Sequence, residues 1–397
     1  MTRDEIQKKA LKIIKDNPFT ILEWGTGIGK SKAAIDAIKY LRKNNKKKIL
    51  LVVAELAHFT NWQEELEKWG VKFSDIQITT YASLKNYRLQ PFDFIIFDEG
   101  HHIGSDIRLD ILSNLISDKI LVLSATMPQE TIYSMEGLLK VKSKAYSITL
   151  QEAIDYKILP EPKIYLVPQT LSTEGATETI VFERGAKSKR VTIKCTYEDL
   201  WLFKKAKIEY PNLTLIISAT EKQKYDYINA EVDYYKSLFF RMKNEGIKNK
   251  WMQAGTLRKR YLGSLKDNKA KEIMHKLKDK RYVCFCSSVD QAILLGDDTS
   301  IHSRKKNSID IIDTFNSKEI DTLFAVGMIQ EGSNLVDIDA AIIVQLDGKE
   351  RAFIQKSGRA MRAESPEIYI IYYKDTRDEE YLTNALEGLS KEYIIII

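Results

Sequence analysis

The sequence predicts an α/β protein in which two parallel-sheet units bracket a middle of different character. Three observations predict it. Apolar strands alternate with helical stretches through the first third, at Thr20–Leu22, Ile49–Val53, Phe94–Phe97 and Ile120–Leu123, with Asn61–Trp69 among the intervening helices. The same alternation returns near Arg281, with strands at Tyr282–Phe285, Thr322–Val326, Ala341–Gln345 and Ile368–Tyr372. Between them, Pro160, Pro162 and Pro168 punctuate a crossing into a segment that does not alternate this way.

The first strand runs into Trp24-Gly25-Thr26-Gly27-Ile28-Gly29-Lys30-Ser31. A triphosphate needs backbone N–H groups turned toward its oxygens, and glycines let the chain curl that tightly. Gly25, Gly27 and Gly29 give this freedom, with Thr26 and Ile28 between them. Lys30 is placed to reach the β- and γ-phosphates and Ser31 to put its hydroxyl on Mg²⁺. The helix from Lys32 to about Tyr40 directs its positive end at the same point. The strand Phe94–Phe97 is a continuous apolar run, as in a buried parallel strand, and ends in Asp98-Glu99-Gly100-His101. An Asp at a strand's carboxyl end can hold Mg²⁺, and the next carboxylate can orient or deprotonate a water. The two strings predict a chain that binds ATP with magnesium and hydrolyses it.

The middle predicts a β-hairpin, Glu178–Phe182 and Val191–Thr196, around the tip Gly185–Arg190, and then a Tyr-rich helix over roughly Glu221–Lys243. The tip carries Lys187, Lys189 and Arg190, which makes it a candidate phosphate contact; a charged tip also serves simply to protect edge strands. Thr220 and Gln223 are spaced as a helix capping box.

The chain has 397 residues, 44% hydrophobic and 29% charged, which is an ordinary soluble composition. No apolar run reaches membrane-spanning length, and the first residues do not form a signal peptide. Cys284 and Cys286 alternate on an apolar strand as core thiols, and Cys195 stands alone, so a cytoplasmic protein is expected (host cytoplasm if phage-encoded). The net charge of +6 permits nucleic-acid binding without requiring it.

In their order, these strings resemble superfamily 2 helicases of the DExH type, along nearly the whole chain. The resemblance implies two RecA-like domains in tandem, one over residues 1–145 and one over 146–397, the second carrying the hairpin and helical insertion at about 170–250. It implies that Gln7 reads adenine and that Val52-Val53-Ala54 and Asn61-Trp62-Gln63-Glu64-Glu65 grip a nucleic-acid strand. Thr80 and Tyr81 resemble a further backbone contact, and Ser124-Ala125-Thr126 the motif coupling hydrolysis to that grip. Glu331-Gly332-Ser333-Asn334-Leu335 and Gln355-Lys356-Ser357-Gly358-Arg359-Ala360-Met361-Arg362 resemble the fifth and sixth motifs. By that likeness Gly332 helps to bind nucleotide, Gln355 contacts the γ-phosphate side, and Arg359 and Arg362 are finger candidates. Lys30, Asp98, Glu99 and His101 complete the catalytic set. Trp24, Ala54 and Asn334 depart from residues common in relatives.

Ile148–Ile154 and Ile158-Leu159-Pro160 are similar to phage-type recombination and branch-migration helicases and to restriction-enzyme motors, and Asn61-Trp62 to remodelling motors. The expected partner is therefore single-stranded, forked or branched DNA, with RNA the alternative, acted on by a monomer away from membranes. A nucleic-acid-binding scaffold with an inactive ATP site is opposed by Lys30, Asp98, Glu99, Arg359 and Arg362.

Overall fold

The computed structural model describes residues 1–46, 48–202, 210–305, 307–326, 335–346 and 363–397. The first sheet is built from β1 (Phe19–Trp24), β2 (Ile49–Val53), β3 (Gln77–Thr80), β4 (Phe94–Phe97), β5 (Ile120–Ser124) and β6 (Lys144–Ile148). Its order is β3-β2-β4-β5-β1-β6, with every neighbouring pair parallel. β2, β4 and β5 are buried at every position, which is why they read as unbroken apolar runs. β6 alternates exposed and buried residues, as an edge strand does. The expected boundary at residue 145 therefore falls inside a strand of the first sheet, where β6 pairs with β1 from Thr20↔Lys144 to Trp24↔Ile148.

Three helices flank β1 and β2 along the chain. α1 (Arg3–Asp16) starts at a capping box in which Thr2 accepts from the Glu5 N–H and Glu5 accepts from the Thr2 N–H. α2 (Lys30–Lys43) follows the phosphate loop, and α3 (Ala57–Lys68) follows β2.

The later strands are β7 (Lys163–Gln169), β8 (Glu178–Arg184), β9 (Val191–Thr196), β10 (Leu213–Ala219), β11 (Tyr282–Cys286), β12 (Ser300–Ile301), β13 (Thr322–Val326), β14 (Ala340–Ile343), β15 (Glu367–Tyr373) and β16 (Ile394–Ile396). A second sheet has the order β12-β13-β11-β14-β15-β7-β16 among the described residues. β11 lies between β13 and β14, parallel to both, and is buried throughout, Cys284 and Cys286 included.

The chain divides into two compact units. The first comprises Met1–Val167, Lys271–Ile370 and Glu380–Ile397; the second comprises Pro168–Ala270 and Ile371–Glu379. The inserted unit thus runs about twenty residues beyond the expected end near 250. Most of the extra length belongs to the helix Glu245–Ser264, which packs on Glu221–Met242. The capping box of Thr220 and Gln223 forms as its spacing predicts.

The expected hairpin is not formed. β8 and β9 do not pair with each other; β10 lies between them, antiparallel to β8 and parallel to β9. An isolated two-stranded hairpin is marginal in water, whereas a central third strand supplies a buried face. Leu215, Ile217 and Ala219 of β10 give that face, closed by Ile180, Phe182, Ile193, Cys195 and Tyr227. A second cluster joins Leu171, Tyr225, Ile228, Tyr261, Leu262 and Tyr373, and beside it the buried Lys266 pairs with Asp378 at 2.6 Å.

Candidate active site

The phosphate loop leaves β1 and becomes α2 through Gly29, which has φ 107° and caps the helix with no side chain. Gly27 is also left-handed, at φ 87°. Both conformations are costly for other residues, so glycine is required at these two positions. The first-turn N–H groups of α2 thus remain for an anion. Lys30 Nζ donates to the carbonyls of Trp24 (2.8 Å) and Gly25 (3.4 Å), which folds its side chain back over the loop. Ile28 is fully buried, so it anchors the loop rather than lining the cradle. Trp24, the departure from the usual loop, is also buried and meets Tyr146 of β6 edge-on at 5.5 Å.

Gln7 reaches the loop from α1. Its Nε2 donates to the Gly29 carbonyl at 3.0 Å, and its buried Oε1 has no protein hydrogen bond. A Cβ at position 29 would lie 2.6 Å from Gln7 Nε2, so this approach also depends on glycine. Arg3, one turn earlier, donates to the Ile158 carbonyl at 3.0 Å, tying α1 to the segment that leaves the first sheet.

The acidic pair stands at the end of β4. Asp98 N–H donates to the Val52 carbonyl, fixing the chain beside β2. Trp62 Nε1 donates to Asp98 Oδ2 at 2.8 Å, and the Glu99 N–H donates to Asp98 Oδ1 at 3.0 Å. His58 Nδ1 lies 4.0 Å from the same Oδ2. Burial first, and then the adjacent Glu99 charge, push the Asp98 carboxyl above its ordinary range, so its ionised form gains from a cation. Glu99 takes a left-handed backbone, φ 47°, which turns its side chain off the strand direction. At Gly100 a Cβ would lie 2.1 Å from Val122 Cγ1, so the turn packs directly on β5.

His101 connects the acid to the next strand. Its Nδ1 is 3.4 Å from Glu99 Oε2 and 3.4 Å from Ser124 Oγ. Ser124 is buried and donates to the Thr126 carbonyl at 2.8 Å, while Glu23 accepts from Met127 N–H at 2.7 Å. Ser124 therefore touches the acidic turn and, as the register partner of Glu23, lies beside the strand that feeds the phosphate loop; Ala125 after it is buried.

Gln7, the phosphate loop and the acidic pair share one cavity of about 670 Å³, lined by Gln7, Gly25, Thr26, Gly27, Gly29 and Lys30, by Ser31, and by Asp98 and Glu99. The donor set fits a magnesium nucleotide: free helix N–H groups and a lysine for phosphate, and one hydroxyl and one carboxylate for a metal. Magnesium would rely on the phosphates and water for its other ligands.

Of the expected nucleic-acid residues, Tyr81 and Arg190 are engaged within the protein. Tyr81 is buried, donates its hydroxyl to the Asp98 carbonyl at 2.9 Å and stacks on Phe97, so it is core beneath the acidic turn. Thr80 is partly exposed, and its Oγ1 accepts from Ser83 N–H. At the loop of the inserted unit Lys187 and Lys189 are exposed. Arg190 instead pairs with Glu183 at 2.8 Å and donates to the Ala186 and Gly185 carbonyls, so it clamps the loop. Gly332, Gln355, Arg359 and Arg362 lie outside the described residues. Sequence reasoning missed the contacts of Arg3, His58, Trp62 and Glu23 with this site. The spacing of His58 and Trp62, four apart on one helix, was the available signal.

Residues 1–129 match the family described as type III restriction enzyme, res subunit, and residues 265–364 match the helicase conserved C-terminal domain. A Methanocaldococcus jannaschii protein named as an ATP-dependent RNA helicase is 29% identical over 133 residues, covering 29% of this chain and 17% of that protein. The Pyrococcus furiosus Hef helicase domain aligns at TM-score 0.48 and 13% identity, covering 97% of each chain. The Sulfolobus solfataricus SWI2/SNF2 ATPase core in complex with dsDNA aligns at TM-score 0.36 and 14% identity, covering 98% of this chain and 90% of that one.

Proposed function

We propose, on the premise that the two matched segments are ATP-hydrolysing helicase domains of superfamily 2, that this chain is a DNA translocase that unwinds or remodels forked and branched DNA. The observation that carries the motor reading is the single cavity in which the phosphate loop and the acidic pair converge. Bound MgATP supplies the γ-phosphoryl group whose transfer to water releases the free energy. The N–H groups at the start of α2 and Lys30 hold the phosphates, and Ser31 and Asp98 hold the metal. Glu99 orients the attacking water and takes its proton. Gln7 offers its Oε1 to the adenine amino group. Arg359 and Arg362 would add positive charge at the γ-phosphate, Gln355 would contact the γ-phosphate side, and Gly332 would help to bind the nucleotide.

The contacts from Glu99 through His101 to Ser124 support a route by which the state of the site reaches the coupling motif. The trimmed strand-contact set is Thr80, with Lys187 and Lys189 from the inserted unit.

A second reading is an RNA helicase, favoured by the name of the M. jannaschii relative. It would show as dependence on ribose hydroxyls. The DNA reading is supported by the likeness of Ile148–Ile154 and Ile158-Leu159-Pro160 to branch-migration and restriction motors and by the restriction-subunit family match. The test is strand displacement from a forked DNA duplex, with ATP and with a non-hydrolysable analogue. ATP alone should drive displacement; equal displacement with both would sink the reading.

A further inference from the structure

The inserted unit carries a feature whose residues take no part in lining the nucleotide cavity. The helices Glu221–Met242 and Glu245–Ser264 form an antiparallel pair that turns at Lys243 (φ 50°) and Asn244, whose side chain caps the second helix. Near that turn, aromatic side chains stand where a soluble surface would be polar. Phe240 is 55% exposed and Met242 60% exposed. Phe239 and Phe240 both lie against Trp251 across the turn, with ring centroids 5.8 Å and 6.0 Å away. Lys243 Nζ sits 4.8 Å from the Phe240 ring centroid and 5.6 Å from that of Phe239.

The charge around these rings is one-sided. From Lys236 to Trp251 the chain carries Lys236, Arg241, Lys243, Lys248 and Lys250 against the single carboxylate of Glu245. Glu245 is itself taken by Lys248, at 3.0 Å. Exposed apolar patches mark interaction sites. An apolar protein partner gains nothing from this ring of cations, and a second copy would bring like charge to like charge. A nucleic acid satisfies both features, because unpaired bases stack on aromatic faces while phosphates meet the lysines and arginine.

We propose that the turn of this helical pair is a stacking platform for unpaired bases, with Phe240 and Trp251 as the faces and Arg241, Lys243 and Lys250 as the phosphate contacts. Its ligand is single-stranded nucleic acid, such as the arm of a fork. The lysine over the two phenyl rings marks how the platform is used: a base takes the ring face as the ammonium shifts to a phosphate. The inference rests on the reading that the chain binds nucleic acid, and it adds a site separate from the nucleotide cavity.

The experiment measures equilibrium binding of the full chain to a fluorescent pyrimidine single strand, a fork with single-stranded arms and a blunt duplex. Phe240→Ala should weaken single-strand and fork binding by roughly 5- to 150-fold, the range for loss of one base–aromatic stack, and leave blunt-duplex binding unchanged. Phe240→Leu should lose as much, because it keeps apolar bulk without a π-face. Phe240→Tyr should retain affinity. Melting temperatures near that of the parent confirm that each variant folds. Full affinity in Phe240→Leu, or equal weakening on all three ligands, would overturn the platform. So would a parent protein that sediments as a dimer and becomes monomeric with Phe240→Ala, since a second copy would then cover the patch. A parent protein whose ATPase no nucleic acid stimulates fails at the motor reading itself. Normal stimulation with unaltered single-strand binding by Phe240→Ala fails at the platform alone.

Discussion

Trp62 Nε1 donates to Asp98 Oδ2 at 2.8 Å, which ties the helix after β2 to the carboxylate proposed to hold magnesium. The indole is nearly buried, and with the Glu99 N–H it fixes both carboxylate oxygens. Trp62→Phe keeps an aromatic ring and deletes the donor. Loss of such an outer hydrogen bond costs roughly 10- to 100-fold in metal affinity. The Mg²⁺ concentration for half-maximal nucleotide binding should rise by a factor in that range, measured at equilibrium with a non-hydrolysable analogue. An unchanged Mg²⁺ dependence would show that Trp62 only packs.

Lys30→Ala and Glu99→Gln should each abolish turnover but differ in binding. Lys30→Ala removes the charge that holds the phosphates. Glu99→Gln keeps the cradle and Asp98, so ATP should still bind and stay unhydrolysed. Fluorescent-nucleotide binding beside steady-state hydrolysis separates the two, and substantial hydrolysis by Glu99→Gln would rule it out as the base.

Much of this site is legible in the sequence because its signals are local. The strand Phe94–Phe97 is an apolar run four residues long ending in two acids, and the structure buries all four. The phosphate loop is written in glycines whose left-handed backbone at Gly27 and Gly29 no other residue adopts cheaply. Sheet order is a long-range property and is less legible. Leu213–Ala219 alternates well enough for a strand, yet nothing near it says that it separates Glu178–Arg184 from Val191–Thr196. Tyr81 fails for a related reason. A tyrosine at a strand end reads as a surface contact until the acidic turn closes over it and accepts its hydroxyl. The helix Glu245–Ser264 is half exposed and rich in lysine and arginine, so its apolar period is weak.

Arg362→Ala should cut kcat by at least ~10²–10³ with little effect on the fold, because what is lost is charge felt in the transition state. Lysine should not restore it, since an ammonium lacks the planar fork of guanidinium. Near-normal turnover in Arg362→Lys would remove the finger assignment. Arg359→Ala tests the companion residue in the same assay.

The loop of the inserted unit should show two kinds of basic residue. Lys187 and Lys189 are exposed, so Lys187→Ala with Lys189→Ala should lower the salt slope of fork binding by about two, one for each phosphate contact. Arg190 is engaged with Glu183 and two carbonyls, so Arg190→Ala should loosen the loop and shift the slope less. Fork affinity measured against salt decides it. An unchanged slope in the double lysine variant would leave these lysines as surface charges that keep the strand edge soluble.

The central claim, an ATP-driven motor on DNA, is tested most directly by steady-state ATP hydrolysis measured across single-stranded DNA, blunt duplex, forks, four-way junctions and RNAs of matching sequence. DNA should stimulate turnover, most strongly when forked or branched, and Lys30→Ala should show none of it. Hydrolysis that no nucleic acid stimulates, or that only the RNAs stimulate, would contradict the account.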